Sequence, residues 1–205
     1  MTYSDFTLES ANTNLGLEIQ RALLFAKVTP VAMPSWLQDV LETGRQMALL
    51  SEKARSEFIV APILLSIRLL SDNRITIYSG QRLDIDIEKG LVGECDFILT
   101  DTPPVPIVQA PIVTFVEAKK NDIESGLGQC AAQMYAADLF NHRKGHPRTA
   151  IFGCVTTGEV WQFLKLAEAT LYIDSNRYYI DQVETILGVL SAIVDIYIAP
   201  TTEAT

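Results

Sequence analysis

The segment of residues 112–119 constrains the fold of this chain most strongly, because a run of apolar residues leads directly into Glu117, Ala118 and Lys119. If the segment is a β-strand, Glu117 and Lys119 share one face and Ala118 points away, since side chains alternate with a period of two. Asp96, on the preceding predicted strand, can reach the same face. Two carboxylates beside one ammonium group are typical of a divalent metal site in which the cation positions a water molecule.

Composition and cysteine usage set the class of protein. The chain has 205 residues, of which 48% are hydrophobic, so it can bury a core, and its length favours a single domain over residues 1–205. Cys95, Cys130 and Cys154 are widely spaced in apolar surroundings, which predicts buried free thiols rather than disulfides or a zinc site. The N-terminus lacks a secretory signal, and the apolar stretch 186–194 is too short to cross a bilayer. We therefore expect a soluble cytoplasmic protein that does not insert into a membrane.

Hydrophobic periodicity predicts the secondary structure. Alternation with a period of two predicts strands at residues 74–78, 82–88, 93–100, 112–119, 150–155, 159–165 and 170–173. Helical spacing predicts helices that begin near residue 35, span residues 51–70 and 125–141, and follow residue 179. Pro62 predicts a kink or an early boundary in helix 51–70, because proline removes one backbone hydrogen bond. Residues 1–34 fit a helix or strands.

This order of elements fits a mixed α/β fold, in which helices flank a mixed sheet, better than a doubly wound sheet. Helix 125–141 would then turn one apolar face inward, formed by Leu127, Cys130, Ala131, Met134 and Ala137. Trp161 and Phe163 alternate along a hairpin strand, so we expect them to pack in a core or an interface rather than to stack on bases.

The order of elements, together with Glu57 on the early helix, Asp96 and the Glu117-Ala118-Lys119 motif, resembles the PD-(D/E)xK nuclease superfamily. The resemblance covers roughly residues 51–165. It implies the restriction endonuclease-like fold, with an αβββαβ core, an N-terminal extension over residues 1–50 and a C-terminal helix over residues 178–197. The proline that precedes the aspartate in the family is replaced here by Cys95.

The resemblance also implies the chemistry of the site. Asp96, Glu117 and the backbone carbonyl of Ala118 would bind Mg²⁺, for which Mn²⁺ could substitute, and Lys119 would orient or deprotonate the attacking water. Glu57 would join the metal directly or through water. Glu94 shares the strand face of Asp96 and could replace or support it.

Two glutamines on the helix after the lysine depart from the family's pattern. Some members carry Gln-x-x-x-Tyr there, whereas this chain has Gln129 and Gln133, with Tyr135 two residues later. Spaced four residues apart, the two amides would lie on one helix face, away from the inward stripe. We expect them either to contact nucleic acid or to belong to the solvent-exposed surface.

Charge gives a mixed indication about a nucleic-acid partner. The formal net charge of −9 opposes binding to a polyanion, since Lys and Arg contacts to phosphates dominate such affinity. Basic residues nevertheless cluster in the segment 142–148, where Arg143 and Lys144 could contact phosphates. The alternative is a solvated helix end whose cations interact with the helix dipole.

Several charged patterns have ordinary structural explanations. Asp96, Glu117 and Lys119 could form only a cross-strand salt-bridge cluster in an unrelated α/β protein, and Glu57 could be an ordinary acid near a helix start. Asp84 and Asp86 alternate along a strand and favour a solvated edge. His142 and His146 do not predict a zinc site, because Gly145 and Pro147 interrupt the helix between or beside them.

The leading hypothesis is a Mg²⁺-dependent nuclease that hydrolyses phosphodiester bonds of nucleic acid, with DNA as the first choice, through a metal-activated water. The alternative, from another class, is a catalytically inactive interaction or assembly module that retains the nuclease fold and could form a homodimer. The negative net charge favours this alternative.

Overall fold

The computed structural model describes residues 1–198, so residues 199–205 of the predicted single domain lie outside the described residues. Its centre is a mixed eight-stranded sheet in the order β1-β7-β6-β5-β4-β3-β2, with β8 paired to β6. The strands are β1 Glu18–Ala22, β2 Thr76–Arg82, β3 Glu94–Thr100, β4 Ile112–Ala118, β5 Ile151–Thr156, β6 Val160–Ala167, β7 Thr170–Asp174 and β8 Tyr178–Tyr179. The pairs β1–β7 and β4–β5 are parallel, and the other pairs are antiparallel.

Helices cover both faces of this sheet, as the predicted mixed α/β class requires. The helices are α1 Leu8–Leu15, α2 Ser35–Arg45, α3 Glu52–Arg55, α4 Ala61–Leu70, α5 Glu124–Arg143 and α6 Val183–Ile198, with 3₁₀ turns at Tyr3–Asp5 and Ile180–Gln182. Helices α1 and α5 contribute to one hydrophobic core, and α2, α4 and α6 to the other. Strand β4 serves both cores, because Phe115 faces the first and Val116 the second.

The predicted helix 51–70 forms with one irregularity. A π-helical segment, Ser56–Val60, joins α3 to α4, and the N–H of Ala61 donates to the carbonyl oxygen of Ser56, five residues earlier. Pro62 follows immediately and has no N–H to donate to the preceding turn. At the predicted boundary the helix widens into a π turn, and the chain stays helical as it passes the proline.

The predicted strand 82–88 is wrong. Strand β2 continues to Arg82, and the chain then forms the tip of the β2–β3 hairpin, where the N–H of Leu83 donates to the carbonyl oxygen of Gly93 at 2.9 Å. Only an isolated bridge, Asp86 with Leu91, remains beyond it. The alternation in this segment comes from a hairpin extension that turns at Gly90, whose φ is +74°.

The structure also defines the elements at the two ends of the described chain. Residues 1–34 contain helix α1 and strand β1, and β1 pairs in parallel with β7 at the sheet edge. The C-terminal helix begins at Val183 rather than near residue 178, because Tyr178–Tyr179 forms β8 on β6. Within residues 1–198, no helix combines the length and the apolar character that a membrane span requires.

Candidate functional site

The end of β4 holds an acid and a lysine in direct contact. Nζ of Lys119 donates to Oε1 of Glu117 at 2.9 Å, and the Glu117 side chain is only 2% exposed. The N–H of Lys119 donates to the carbonyl oxygen of Thr156 at 2.7 Å, which extends the pairing with β5 just past the strand. Glu117 and Lys119 therefore have fixed positions at the point where β4 leaves the core.

Asp96 on β3 meets the same strand end through the backbone. Its Oδ2 accepts a hydrogen bond from the N–H of Ala118 at 2.7 Å. The register of the β3–β4 pair ends at Phe97 and Val116, so beyond it a carboxylate takes the place of a strand carbonyl. The structure thus brings together Asp96, Glu117 and Lys119, the three side chains on which the metal-site hypothesis depends.

Helix α5 supplies two amides to this cluster. Oε1 of Gln129 accepts from Nζ of Lys119 at 2.9 Å, and Nε2 of Gln133 donates to Oε2 of Glu117 at 2.9 Å. Both glutamines are buried. The predicted placement of Gln129 and Gln133 away from the inward stripe is therefore wrong, although their contact with nucleic acid stays a prediction.

Helix α5 is buried on a second side as well as on the sheet side. The predicted inward face of α5 is confirmed as buried, but every residue from 126 to 134 is buried as well. The N-terminal segment packs over the helix there, since a Cβ built at Gly128 would lie 2.4 Å from the carbonyl oxygen of Phe6. A single inward stripe is predicted for a helix that covers a sheet, and α5 is instead enclosed on two sides.

Burial and mutual repulsion shape the proton affinities of the acids. Burial, and then the charge of Asp96, raise the pKa of Glu117 to about 7, against the opposing effects of Lys119 and Gln133. Burial also raises the pKa of Asp96, although the N–H of Ala118 opposes this shift. The site therefore holds two acids that resist carrying negative charge together.

For Lys119, burial and the neighbouring charges shift the pKa in opposite directions. Burial acts to lower the pKa of Lys119, but the charge of Glu117 and the hydrogen bond to it outweigh burial, so the pKa is raised. Glu52 and Asp96 contribute in the same direction. Lys119 is consequently a stable cation and a hydrogen-bond donor at neutral pH.

Asp96 opens into an acidic groove of about 400 Å³ between the early helices and β3. Predicted residues Glu57 and Glu94 line this groove, and so does Glu52. Glu57 is exposed and lies 3.8 Å from Nζ of Lys53. Sequence reasoning missed Glu52, which follows the N-cap Ser51 and has the ordinary features of a first-turn acid. Its spacing of five residues from Glu57 gave no signal, because two such positions lie about 140° apart on a regular α-helix.

The donor set at this strand end consists of hard oxygens, which suit Mg²⁺ or Mn²⁺. Asp96, Glu117 and the carbonyl of Ala118 would supply them, as the resemblance implies. Across residues 1–198, however, no group of at least three His, Cys, Asp or Glu side chains is arranged to hold a metal ion. The fit to a cation rests on the two acids, whose repulsion a divalent ion would relieve, and on the backbone oxygen.

The basic segment predicted to contact phosphates lies far from this cluster. Arg143 ends α5, and fourteen residues of helix rise separate it from Gln129, which is roughly 21 Å. Nη1 of Arg143 donates to the carbonyl oxygen of Ile85 at 2.7 Å, and Lys144 lies over the ring of Phe140. The structure therefore does not bring Arg143 and Lys144 to the site, and their contact with nucleic acid stays a prediction.

Other sequence predictions have clear outcomes. Cys95, Cys130 and Cys154 are buried and free, as predicted. Trp161 and Phe163 are fully buried in the core on β6.

A scan against protein-family models finds no match to this chain, and a search of curated proteins finds no match either.

Proposed function

We propose that this chain is a metal-dependent phosphodiester hydrolase that acts on nucleic acid, with DNA as the first substrate to test. The observation that carries the proposal is the meeting of Asp96, Glu117 and Lys119 at the end of β4. The element order α4-β2-β3-β4-α5-β5 supports it, because this is the αβββαβ order expected from the resemblance to the PD-(D/E)xK superfamily.

The contacts indicate a role for each residue of the site. Mg²⁺ held by Asp96, Glu117 and the Ala118 carbonyl would supply a Lewis acid and lower the pKa of a water molecule. Lys119, kept protonated by Glu117, orients that water and stabilises negative charge as it develops on the phosphate. Gln129 accepts from Lys119 and Gln133 donates to Glu117, so the two amides fix the directions of both groups.

Substitution of the lysine tests this proposal. We expect Lys119→Ala to lower Mg²⁺-dependent cleavage of labelled DNA and RNA by about 100-fold or more, since a charge that stabilises the transition state is removed. Lys27→Ala is the matched control, because Lys27 is an exposed lysine that does not line the acidic groove. It should cleave at the wild-type rate. Wild-type protein that cleaves nothing with Mg²⁺ or Mn²⁺, or a Lys119→Ala variant that cleaves normally, would contradict the proposal.

The second candidate function is an inactive interaction or assembly module with this fold. The acidic groove favours it, because Glu52, Glu57, Glu94 and Asp96 surround the opening and repel a polyanion in the absence of cations. Both carboxylate oxygens of Glu117 also have protein donors. Light scattering that shows a homodimer, together with no salt-sensitive DNA binding, would select this candidate over the hydrolase.

A further inference from the structure

A second depression, of about 280 Å³, is lined by α3 and by the loop that follows Lys119. Helix α3 contributes Glu52 to the acidic groove and Arg55 to this depression. The loop that follows Lys119 contributes Lys120, and the segment before β8 contributes Arg177. The depression thus holds three cations beside the candidate catalytic strand end, together with the carboxylates of Asp122, Glu124 and Glu159.

Arg55 is held in place by the protein backbone. Its Nη1 donates to the carbonyl oxygen of Thr157 at 3.0 Å, and its side chain is only 17% exposed. Its Nε is buried and has no hydrogen-bond partner among the described residues. The acid that pairs with Arg55, Glu159, is 68% exposed and lies 3.3 Å away, so it can rotate into solvent while the guanidinium stays.

Arg177 is held from the interior in the same manner. Its Nε donates at 2.9 Å to Oε1 of Gln162, a buried side chain on β6. Gln162 is itself fixed, because its Nε2 donates to the carbonyl oxygens of Asp174 at 2.6 Å and Asn176 at 3.0 Å. The acid partner of Arg177, Glu124, is 54% exposed and therefore replaceable.

We propose that Arg55, Lys120 and Arg177 form a subsite that binds a backbone phosphate of the nucleic-acid strand next to the bond that is cleaved. This inference rests on the proposed function. Guanidinium groups match the geometry of phosphate oxygens, and two of them are already ordered here, which lowers the entropic cost of binding. A phosphate replaces the exposed carboxylates of Glu124 and Glu159 as the partner of the arginines.

The position of the subsite follows from chain connectivity. Lys120 directly follows Lys119, and Arg55 lies three residues after Glu52, one helical turn along α3. Helix α3 therefore lines both the depression and the acidic groove, and Lys120 joins the depression directly to Lys119. One strand of nucleic acid can contact the cations with one phosphate while the next phosphate reaches Asp96 and Lys119.

Binding of fluorescein-labelled single-stranded and duplex DNA and RNA oligonucleotides, measured by anisotropy with Mg²⁺ in the Lys119→Ala background, tests the subsite. We expect Arg55→Gln combined with Arg177→Gln to weaken binding by about tenfold or more and to reduce the salt slope by about two. The matched control is Lys27→Gln combined with Lys89→Gln, which makes the same change in net charge at exposed positions outside both the depression and the acidic groove. It should leave affinity within about twofold.

A variant that is expected to tighten binding controls for misfolding of the arginine variants. Glu124→Gln combined with Glu159→Gln frees both arginines and should tighten binding by several-fold. Equal weakening by the two cation variants, no tightening by the glutamine variant, or no measurable binding of any oligonucleotide overturns the subsite. Selective weakening without any cleavage by the wild-type protein supports the subsite while it contradicts the hydrolase, so the two failures are distinguishable.

Discussion

Glu117 lies in an environment unlike that of an ordinary surface acid. Its two carboxylate oxygens accept hydrogen bonds from Lys119 and Gln133, and almost none of its surface contacts solvent. Hydrogen bonds satisfy the group, but they do not remove the cost of placing its charge near Asp96 in a buried site. That cost makes the stability of the folded protein depend on pH.

The folded state binds a proton at Glu117 more tightly than the unfolded state does, because the pKa is raised from 4.5 to about 7. We therefore predict that, without divalent metal, the free energy of unfolding falls as pH rises from about 4.5 through 7. Each tenfold change in proton affinity corresponds to about 1.4 kcal/mol. The raised pKa of Asp96 acts in the same direction. Urea unfolding in EDTA between pH 5 and pH 8.5 measures the effect.

Glu117→Gln should flatten this pH dependence, since it removes the largest titrating contribution. Glu57→Gln is the control, because Glu57 is an exposed acid on the same groove, and its curve should follow the wild-type curve. Parallel curves for the wild-type protein and Glu117→Gln would show that Glu117 does not control the pH dependence.

At the residue scale the sequence predicts part of the site, because a strand period of two already brings Glu117 and Lys119 to one face. It did not predict Glu52, whose local features are those of a helix start. It also misplaced Gln133, since that side chain is buried where α5 packs on β4 and donates to Glu117, sixteen residues earlier. Contacts between residues distant in sequence are invisible to periodicity.

At the scale of elements, α5 determines how closely the site can be packed. Gly128 meets the backbone of Phe6 and Thr7, and Gly126 lies where a Cβ would be 2.6 Å from Cγ1 of Val155. These glycines allow the helix to approach the N-terminal segment on one side and β5 on the other. The close approach places Gln129 and Gln133 within reach of β4.

We predict that Gly128→Ala destabilises the protein by about 1–3 kcal/mol, because the added methyl group overlaps backbone atoms that cannot rotate away. In an exposed helix the same substitution would stabilise the protein by about 1 kcal/mol. The sign of the change in the free energy of unfolding therefore shows whether packing controls this position. Chemical denaturation measures the change. Ser125→Ala, at an exposed position of the same helix, should change stability by less than about 0.5 kcal/mol. Greater stability for Gly128→Ala would contradict the packing at this position.

Elements with strong local patterns were predictable, and those defined by distant partners were not. Strands β4, β5 and β6 and helix α5 lie close to their predicted positions. The segment 82–88 alternates like a strand, but it extends the β2–β3 hairpin. Strand β1 was left open by the sequence, since its partner β7 lies some 150 residues later.

For the whole molecule, the formal net charge of −9 makes the folded state sensitive to cations. Added NaCl screens this charge everywhere, whereas a divalent ion at the site acts at Asp96 and Glu117 specifically. The two contributions separate when salts are compared at equal ionic strength.

We predict that MgCl₂ raises the melting temperature more than NaCl does at equal ionic strength and pH 8. At a Mg²⁺ concentration 100 times its dissociation constant, binding to the folded state alone adds about 2.7 kcal/mol. Calorimetry or thermal unfolding measures the difference. Asp96→Asn should abolish the excess effect of Mg²⁺, and Asp84→Asn, on the β2–β3 hairpin tip, should retain it. Equal effects of the two salts on the wild-type protein would argue against a metal site.

The parallel pairing of β1 with β7 has a consequence for synthesis on the ribosome. Glu18 is opposite Thr170, so the edge strand has no partner until most of the chain has been translated. At about 5–20 residues per second, that interval lasts roughly 8–30 s. The nascent N-terminal segment must not aggregate during this interval. Its many polar side chains disfavour aggregation, and three of them lie in the strand itself: Glu18, Gln20 and Arg21.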